Sequence, residues 1–267
     1  MHDSLGERIK TQYEHRTRYL LPRRTYTVIR VDGKAFHTLT RGCQRPFDAE
    51  LMVFMDETAR AMCEGIQGAR LAFVQSDEIS VLLSDFDTPT TDAWFDGGVQ
   101  KIASISASMA TAAFNRYWAL HTCQRLHSTY QPPALFDSRV FTIPDREEVL
   151  NYLVWRQQDA TRNSIQMAAQ AYFSPAQLHG KNVQELQEML FTEKQINWND
   201  YPVGCKRGRL VVQRTSEKDV EYVDKRTGDL RTVEGVKRRE WRVEDPPIFT
   251  TDRAWADEWL PKQGDAG

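Results

Sequence analysis

The order of strand and helix patterns along the chain is the feature that most restricts the fold. A β-branched, alternating run at Thr25–Val31 predicts a strand, and three-four spacing of apolar residues over Phe47–Ile66 predicts a helix. The next predicted elements are two strands, a helix, a strand and a helix, at Ala69–Gln75, Ile79–Ser84, Trp94–Trp118, Leu135–Ile143 and Asp145–Gln158. This β-α-β-β-α-β order predicts an α+β fold with a ferredoxin-like core, the topology of a polymerase palm.

The last third of the chain has a different pattern. Helices are predicted over Ser164–Phe173 and Asn182–Leu190. Two strands of a hairpin are predicted at Arg209–Arg214 and Glu240–Val243. We therefore expect residues 1–160 to form the palm-like core, and residues 161–267 to form a helical and β-hairpin C-terminal extension packed on that core.

The charge of the chain is uneven. With 35 Lys and Arg against 37 Asp and Glu, the formal net charge is −2, which excludes a surface that binds polyanions indiscriminately. The segment from Lys206 to Arg242 holds 12 basic and 7 acidic residues, a balance of +5, so the remainder carries −7. A solvated hairpin and a surface that faces a polyanion explain this segment equally well.

Several other classes of protein are disfavoured. The sequence has no apolar run long enough for a membrane span and no N-terminal pattern of a secretory signal. Its four cysteines include no CxxC pair, which argues against a zinc knuckle or a disulfide scaffold. We expect free thiols, a cytoplasmic location and no membrane association.

Two acidic turns fall at the ends of neighbouring strands. Asp32 ends the first strand, and Asp77 and Glu78 lie with Ser76 at the tip of the hairpin between the second and third strands. In this topology the first strand lies beside the central hairpin, so the carboxylates meet at one edge of the sheet. Carboxylates that close repel one another unless a cation lies between them, and oxygen ligands favour Mg²⁺. Two Mg²⁺ ions held this way are the usual apparatus for nucleotidyl transfer.

The stretch after Asp32 is suited to phosphate binding. Gly33 permits a close backbone approach and exposes amide groups, and Lys34, Arg41 and Arg45 supply nearby cations. Such a turn can wrap the triphosphate of a nucleotide. From spacing alone, two ordinary polar turns explain Asp32-Gly33 and Ser76-Asp77-Glu78 as well.

The two acidic motifs also resemble a known family. Ile29-Arg30-Val31-Asp32-Gly33-Lys34-Ala35-Phe36-His37 and Gln75-Ser76-Asp77-Glu78 are similar to the signature motifs of the tRNA-His guanylyltransferase family. That family includes the guanylyltransferase-like 3′-to-5′ polymerases. The resemblance continues through four later segments, at Lys101–Trp118, Phe136–Arg139, Tyr152–Gln157 and Ile196–Asn199. It implies a palm-like catalytic domain that extends RNA at its 5′ end, a C-terminal extension that contacts RNA, and a homotetramer.

The resemblance also implies roles for individual residues. Asp32 and Asp77 would be the carboxylate ligands of the metal, with the Gly33 carbonyl as a further ligand and Glu78 in a supporting catalytic role. The nucleotide triphosphate would be held by Asp32, Gly33, Lys34, Ala35, Phe36, His37, Ser76 and Asp77. Basic positions of the family match Arg45, Lys101 and Arg139, which we assign to phosphate or RNA contact.

One departure from the family pattern bears on the reaction. Eukaryotic guanylyltransferases carry a His-Ile-Asn-Asn-Leu-Tyr-Asn stretch where this chain has Thr161–Met167, which keeps only Asn163. The segment resembles the branch found in bacteria and archaea. It favours template-dependent repair of 5′-truncated tRNA, after ATP activates the 5′-monophosphate, over strict addition of one G to tRNA-His.

The partners expected are tRNA and nucleoside triphosphates, namely ATP with GTP or another nucleotide, together with two Mg²⁺ ions. Two other functions stay open. One is a nucleotidyl cyclase on the same palm, and the other is a non-catalytic module that binds RNA through the basic hairpin.

Overall fold

The computed structural model of the chain describes residues 4–125, 132–223 and 225–262, without the side chains of residues 121–125. Its centre is a six-stranded antiparallel sheet in the order β4-β1-β3-β2-β5-β6. The strands are β1 Tyr26–Gly33, β2 Ala69–Gln75, β3 Glu78–Leu83, β4 Phe136–Ile143, β5 Arg209–Val223 and β6 Leu230–Glu244. The first four strands follow the ferredoxin-like order, which confirms the predicted palm-type core.

Nine α-helices lie within the described ranges. They are α1 Leu5–Ile9, α2 Phe36–Leu39, α3 Ala49–Gly65, α4 Val99–Arg125, α5 Arg146–Tyr172, α6 Pro175–Leu178, α7 Val183–Lys194, α8 Val203–Arg207 and α9 Ala256–Trp259. A π-helical turn occurs at Lys10–Glu14, and 3₁₀-helical turns occur at His15–Thr17, Trp94–Gly97 and Trp198–Asp200. None of the helices in these ranges combines the length and apolar character that crossing a membrane requires.

Alternation along the strands divides the core into two layers. Successive side chains of a strand point to opposite faces, so Ile29 and Val31 pack with α3 and α4, whereas Tyr26 and Val28 pack with α5 and the C-terminal segment. A third cluster joins α5 to α7. The sheet is therefore covered on both faces, and its functional groups lie at the end where β1 stops.

The helix predicted at Phe47–Ile66 begins at a capping residue. Asp48 is buried, and its carboxylate accepts hydrogen bonds from the backbone N–H groups of Glu50 and Leu51 at the start of α3. The same carboxylate accepts the N–H of Gln44 at 2.8 Å. A cap of this kind contributes about 1 kcal/mol, and here it also fixes the loop that approaches the site.

The largest correction to the sequence-based prediction concerns α5. Two helices were predicted on either side of residues 159–163, but a single 27-residue helix runs from Arg146 to Tyr172. The polar gap stays helical because Asp159 pairs with side chains one helical turn away, those of Arg156, Arg162 and Asn163. This helix crosses the expected boundary between residues 160 and 161, so the C-terminal extension begins inside a helix of the core.

The hairpin is longer than predicted. Each of its strands has 15 residues, and β5 pairs with β2 only over Arg209–Val212. The remainder pairs with β6 alone and projects from the sheet. Over residues 213–223 and 230–244 no side chain is buried and most are polar, although Tyr222, Val223, Leu230 and Val233 are exposed apolar residues near the turn. A half-buried strand is detected by apolar alternation, which most of this hairpin lacks.

The N-terminal region is helical over residues 5–17, with a change of helical type near its middle. None of its residues is buried. Leu5, Ile9 and Tyr13 follow one another at four-residue spacing and are 67%, 43% and 66% exposed. They form an apolar stripe that no described part of the chain covers.

Candidate active site

The two acidic motifs meet at one end of the sheet. Asp32 lies opposite Glu78 in the β1–β3 pairing, and the Gly33 N–H donates to the Asp77 carbonyl at 3.1 Å. The hairpin tip is a two-residue turn of Ser76 and Asp77, because Glu78 pairs with Gln75 as the first residue of β3. This corrects the predicted three-residue tip. Ser76 takes a positive φ of 47°, which suits the twist of a tight hairpin.

The loop after β1 is bent back over the sheet end by one aromatic residue. Phe36 is buried against Phe114 and Phe136, with ring centroids 5.2 and 5.1 Å apart. A Cβ on Gly33 would lie 2.3 Å from the Phe36 ring, so this close packing requires glycine. Ala35 adopts a left-handed conformation, φ 55°, at a cost of roughly 1–2 kcal/mol.

That conformation presents backbone donors. Ala35 precedes the first turn of α2, where helical N–H groups have no partner inside the helix. Among the described residues, the N–H groups of Phe36 and His37 find no hydrogen-bond acceptor. The loop can therefore donate hydrogen bonds to an anionic ligand.

A cavity of about 510 Å³ opens beside this loop. Eight of the predicted site residues line it, namely Asp32, Gly33, Ala35, Phe36, His37, Arg45, Ser76 and Asp77. Its opposite wall comes from the C-terminal part of the chain, with Ala160, Asn163, Ser164, Met167 and Gln170 of α5 and Gly204, Cys205, Gly208 and Arg209 around α8. The volume lies in the usual range for a small-molecule site.

The other predicted residues lie outside the cavity lining. Lys34 is exposed, and the Lys101 ammonium lies 4.7 Å from the centre of the Phe95 ring at the start of α4. Arg139 is half exposed on β4, with Nη2 3.8 Å from Oδ2 of Asp32. Glu78 is buried beneath the turn.

The electrostatics of Asp77 favour a cation. Burial raises the pKa of Asp77, and the nearby Asp32 carboxylate raises that pKa further. Hydrogen bonds from its own backbone and from Ser76, and the charge of His37, lower this pKa in part. A positive ion next to Asp77 would remove the remaining penalty.

The donors present fit a hard divalent cation that completes its shell with substrate. Nowhere in the described part of the chain do three or more His, Cys, Asp or Glu side chains form a metal-binding group. Mg²⁺ typically uses one or two protein carboxylates, with waters and substrate phosphates as the other ligands. Asp32, Asp77 and a backbone carbonyl match that pattern, whereas a metal caged by side chains alone would not.

Glu78 has a different environment from Asp77. Its carboxylate accepts two hydrogen bonds of 2.8 Å from Arg156, at Nε and Nη2, and one of 3.3 Å from Gln75. Burial raises the pKa of Glu78, while Arg156 and Arg30 oppose that rise. Arg156 also binds Asp159 of the same helix at 2.8 Å, and its pairing with Glu78 ties the hairpin to α5.

The far wall of the cavity was not predicted as part of the site. Its buried Arg209 pairs with Asp56 of α3 at 2.5 Å and donates to the Gly204 carbonyl. Gly208 beside it takes a positive φ of 79°, and a Cβ there would collide with Phe73 and Val74. Two segments gave a signal for this region, the family-like Tyr152–Gln157 and the departing Thr161–Met167, but no binding role could be assigned to their residues from sequence.

Comparisons with known proteins identify a family that this chain resembles. A family model described as tRNA(His) guanylyltransferase (Thg1) matches residues 6–144. The tRNA(His) guanylyltransferase of Schizosaccharomyces pombe is 30% identical over 227 residues, covering 80% of this chain and 83% of that relative.

Two solved structures are more similar. A bacterial tRNA(His) guanylyltransferase (Thg1)-like protein in complex with ATP has a TM-score of 0.81 and 40% identity, covering 97% of this chain and 99% of that one. A bacterial protein of the same description in complex with GTP has a TM-score of 0.75 and 39% identity, covering 96% and 99%.

Proposed function

This chain belongs to the tRNA(His) guanylyltransferase family and is a nucleotidyltransferase, and from that premise we propose that it adds nucleotides to the 5′ end of tRNA in the 3′-to-5′ direction. The observation that carries the proposal is the convergence of Asp32 and Asp77 at one end of a cavity lined by both family motifs.

The cavity is assigned to a nucleoside triphosphate. The loop after β1 is bent for anion binding and carries the N–H groups of Phe36 and His37, which have no acceptor in the described part of the chain. Arg45 and Ser76 belong to the same cavity lining. The two solved relatives are described as complexes with ATP and with GTP, which supports a site that accepts both purine nucleotides.

Asp32, Asp77 and the Gly33 carbonyl are assigned as the ligands of two Mg²⁺ ions. When bound, Mg²⁺ would supply activation of the attacking group and charge stabilisation of the leaving group, which is pyrophosphate in the first transfer and AMP in the second. Asp32 and Asp77 hold the negative charge that draws such ions to the end of β1. Glu78 acts by positioning, because its contacts with Arg156 fix the strand end that carries Asp77.

The reaction proceeds in two transfers. The 5′-monophosphate of the RNA attacks the α-phosphorus of ATP, which forms an adenylylated 5′ end and releases pyrophosphate. The 3′-hydroxyl of an incoming nucleotide then attacks the activated 5′ phosphorus, which releases AMP and lengthens the RNA by one residue. Arg139 and Lys101 are assigned to the phosphates of the RNA and of the second nucleotide.

Repair of 5′-truncated tRNA is preferred over addition of a single G to tRNA-His. The segment that departs from the eukaryotic pattern, Thr161–Met167, contributes Asn163, Ser164 and Met167 to the cavity wall, and of these Ser164 and Met167 differ from that pattern. A change of side chains at that wall is a change in the substrate site itself, which supports a different choice of RNA end.

The extension over residues 161–267 is assigned to RNA contact, and its charge is distributed less simply than the sequence indicated. Lys206 and Arg209 are buried, and Lys218 pairs with Glu240. Arg238 forms no salt bridge with any described residue. The surface offered to RNA is therefore the projecting part of the hairpin rather than the whole basic segment.

We also assign a homotetramer and a cytoplasmic location. The uncovered stripe of Leu5, Ile9 and Tyr13 supports association, because apolar side chains repeated on one helical face gain by burial against a second copy. The tRNA-processing activity of the relatives supports the location. Native mass spectrometry of the full chain tests the number of subunits.

An addition assay tests the proposed reaction. Full-length tRNA-His and a tRNA lacking its first nucleotide are each incubated with Mg²⁺, ATP and every other nucleotide in turn. We expect the truncated tRNA to accept the nucleotide complementary to its template base. Preference for the full-length tRNA with GTP would instead indicate strict guanylyl addition.

Matched variants identify the carboxylates in that assay. Asp77→Ala should lose addition, whereas the exposed Asp92→Asn should retain it. Cyclic product from labelled nucleotide without RNA would indicate a cyclase. RNA binding without any addition by the wild type would indicate a non-catalytic module.

A further inference from the structure

One side of the Asp32 carboxylate faces the cavity, and its other side lies outside the cavity. On the other side lie Arg139, with Nη2 3.8 Å from the Asp32 carboxylate, and Arg30, which faces Arg139 across the β1–β4 pair. Neither arginine belongs to the described cavity lining. If the cavity holds a nucleoside triphosphate, the RNA reaches Asp32 from this arginine side.

An indole ring extends the arginine side. Trp155 of α5 is 50% exposed, whereas Trp94, Trp118 and Trp198 are 9%, 2% and 6% exposed. The guanidinium carbon of Arg156 lies 4.4 Å from the Trp155 ring centre, and that of Arg30 lies 5.8 Å away. The ring is thus held against fixed cations while about half of the residue's surface stays open.

The ring is rigidly placed. Tyr152, one helical turn earlier, packs against it with ring centroids 5.9 Å apart and itself packs on Phe141 of β4. The Tyr152 hydroxyl lies 2.7 Å from the hydroxyl of Ser80 in β3. An exposed aromatic side chain anchored in this way can receive a planar ligand with little loss of conformational entropy.

The spacing fits one nucleotide. Side chains two positions apart on a strand lie about 7 Å from one another, so Arg30 is about 7 Å from Asp32 and its guanidinium lies beside Trp155. Arg30 approaches Glu78 only to 3.9 Å, because Arg156 takes the short contacts of that carboxylate. Arg30 therefore shares the charge of Glu78 with Arg156, while its Nε has no hydrogen-bond partner among the described residues.

We propose that Trp155 stacks on the base of the 5′-terminal nucleotide of the RNA, whose phosphate binds the exposed side of Arg139 next to Asp32. This inference rests on the proposed function. Stacking accepts every base, because each has a π-face. That tolerance suits an enzyme whose RNA end changes identity with each nucleotide added.

Kinetics on a truncated tRNA provide the first test. Trp155→Ala should raise KM for the RNA about tenfold while KM for ATP stays unchanged. Trp155→Phe, which keeps a stacking ring, should stay within about threefold of the wild type. The control is Tyr19→Ala, since Tyr19 is 70% exposed near the N-terminus and should leave both constants unchanged.

A second RNA separates stacking from a purely structural role. When the 5′-terminal residue is abasic, wild type and Trp155→Ala should have the same KM for RNA. A penalty for Trp155→Ala that persists on abasic RNA would overturn the proposal and assign the ring to the support of Arg156. A change of oligomeric state on substitution would also overturn it, by assigning the ring to an interface between copies.

A binding measurement keeps this inference separate from the proposed function. A 5′-phosphorylated RNA with terminal 2-aminopurine should lose fluorescence when it binds wild type, and not when Trp155→Ala binds it. Quenching without any nucleotide addition by wild type would contradict the proposed function and support the stacking. Addition with equal quenching by both proteins would retain the function and overturn the stacking.

Discussion

Two adjacent carboxylates, Asp77 and Glu78, are both removed from water and yet are compensated in different ways. Burial is the largest influence on the pKa of each and raises both. Glu78 faces two arginines and accepts two 2.8 Å hydrogen bonds from Arg156. Asp77 faces another carboxylate, that of Asp32, with only Ser76, its own backbone and His37 to offset it.

This difference separates a structural charge from a functional one. A buried charge with a bidentate partner is fully compensated within the protein, and the pair holds two elements together. A carboxylate placed beside another carboxylate has no compensating positive charge until a cation binds. The turn between β2 and β3 thus carries one residue that fixes the site and one residue that the site uses.

The largest expected effect is on activity. Asp77→Asn should lower the rate of nucleotide addition by at least about a thousandfold, since the amide removes a negative charge from the cation site with little change of shape. Steady-state addition of a labelled nucleotide to truncated tRNA measures it. Glu78→Gln, assayed alongside, should lose less at a temperature where both proteins are folded, and a larger loss for Glu78→Gln would reverse the comparison.

The second effect is on stability and concerns the other carboxylate. Arg156→Met should lower the free energy of unfolding by about 3–5 kcal/mol, because it leaves Glu78 buried without its bidentate partner. Urea unfolding of the purified protein measures this change. The stability of Asp77→Asn should not fall in the same experiment.

A double substitution identifies the cause of that loss. If the uncompensated charge is responsible, Glu78→Gln combined with Arg156→Met should recover part of the stability lost by Arg156→Met alone. Simple addition of the two losses would contradict a buried ion pair as the cause and would indicate loss of packing.

The comparison also shows where sequence reasoning reaches its limit. The order of elements and the meeting of Asp32 with Asp77 were predictable, because strand alternation and topology fix which strand ends are neighbours. The division of roles between Asp77 and Glu78 was not predictable. It depends on Arg156, which is 78 residues away in the chain and lies on a helix that crosses the sheet.

The part of the cavity wall that α5 forms was not predicted, for a related reason. Helix α5 was read as two helices because its polar residues 159–163 interrupt the apolar periodicity. Asp159, Arg162 and Asn163 are polar because Asp159 binds Arg156, Arg162 and Asn163, and Asn163 also lines the cavity. A functional surface inside a helix therefore resembles a loop in the sequence, and only tertiary packing distinguishes the two.

A smaller effect tests which carboxylate attracts the cation. Mg²⁺ at ten times its dissociation constant should stabilise wild type by about 1.4 kcal/mol, through binding to the folded state alone. Glu78→Gln should keep that gain and Asp77→Asn should lose it, as measured by thermal unfolding with and without Mg²⁺. An equal gain in Asp77→Asn would show that the ion binds elsewhere.

The smallest effect is the pH dependence of stability without divalent ions. The folded-state pKa of Asp77 is raised above its unfolded value by burial and by Asp32. Its contribution to stability is therefore fully present below the unfolded pKa, near 4, and is lost as pH rises through the folded pKa. Asp77→Asn does not titrate, so it should be more stable than wild type at pH 7, and this advantage should shrink toward pH 4. Thermal unfolding of both proteins across that pH range measures the difference in stability. If the greater stability of Asp77→Asn instead grew on acidification, Asp77 would be stabilised as the anion, like a carboxylate with a fixed cationic partner.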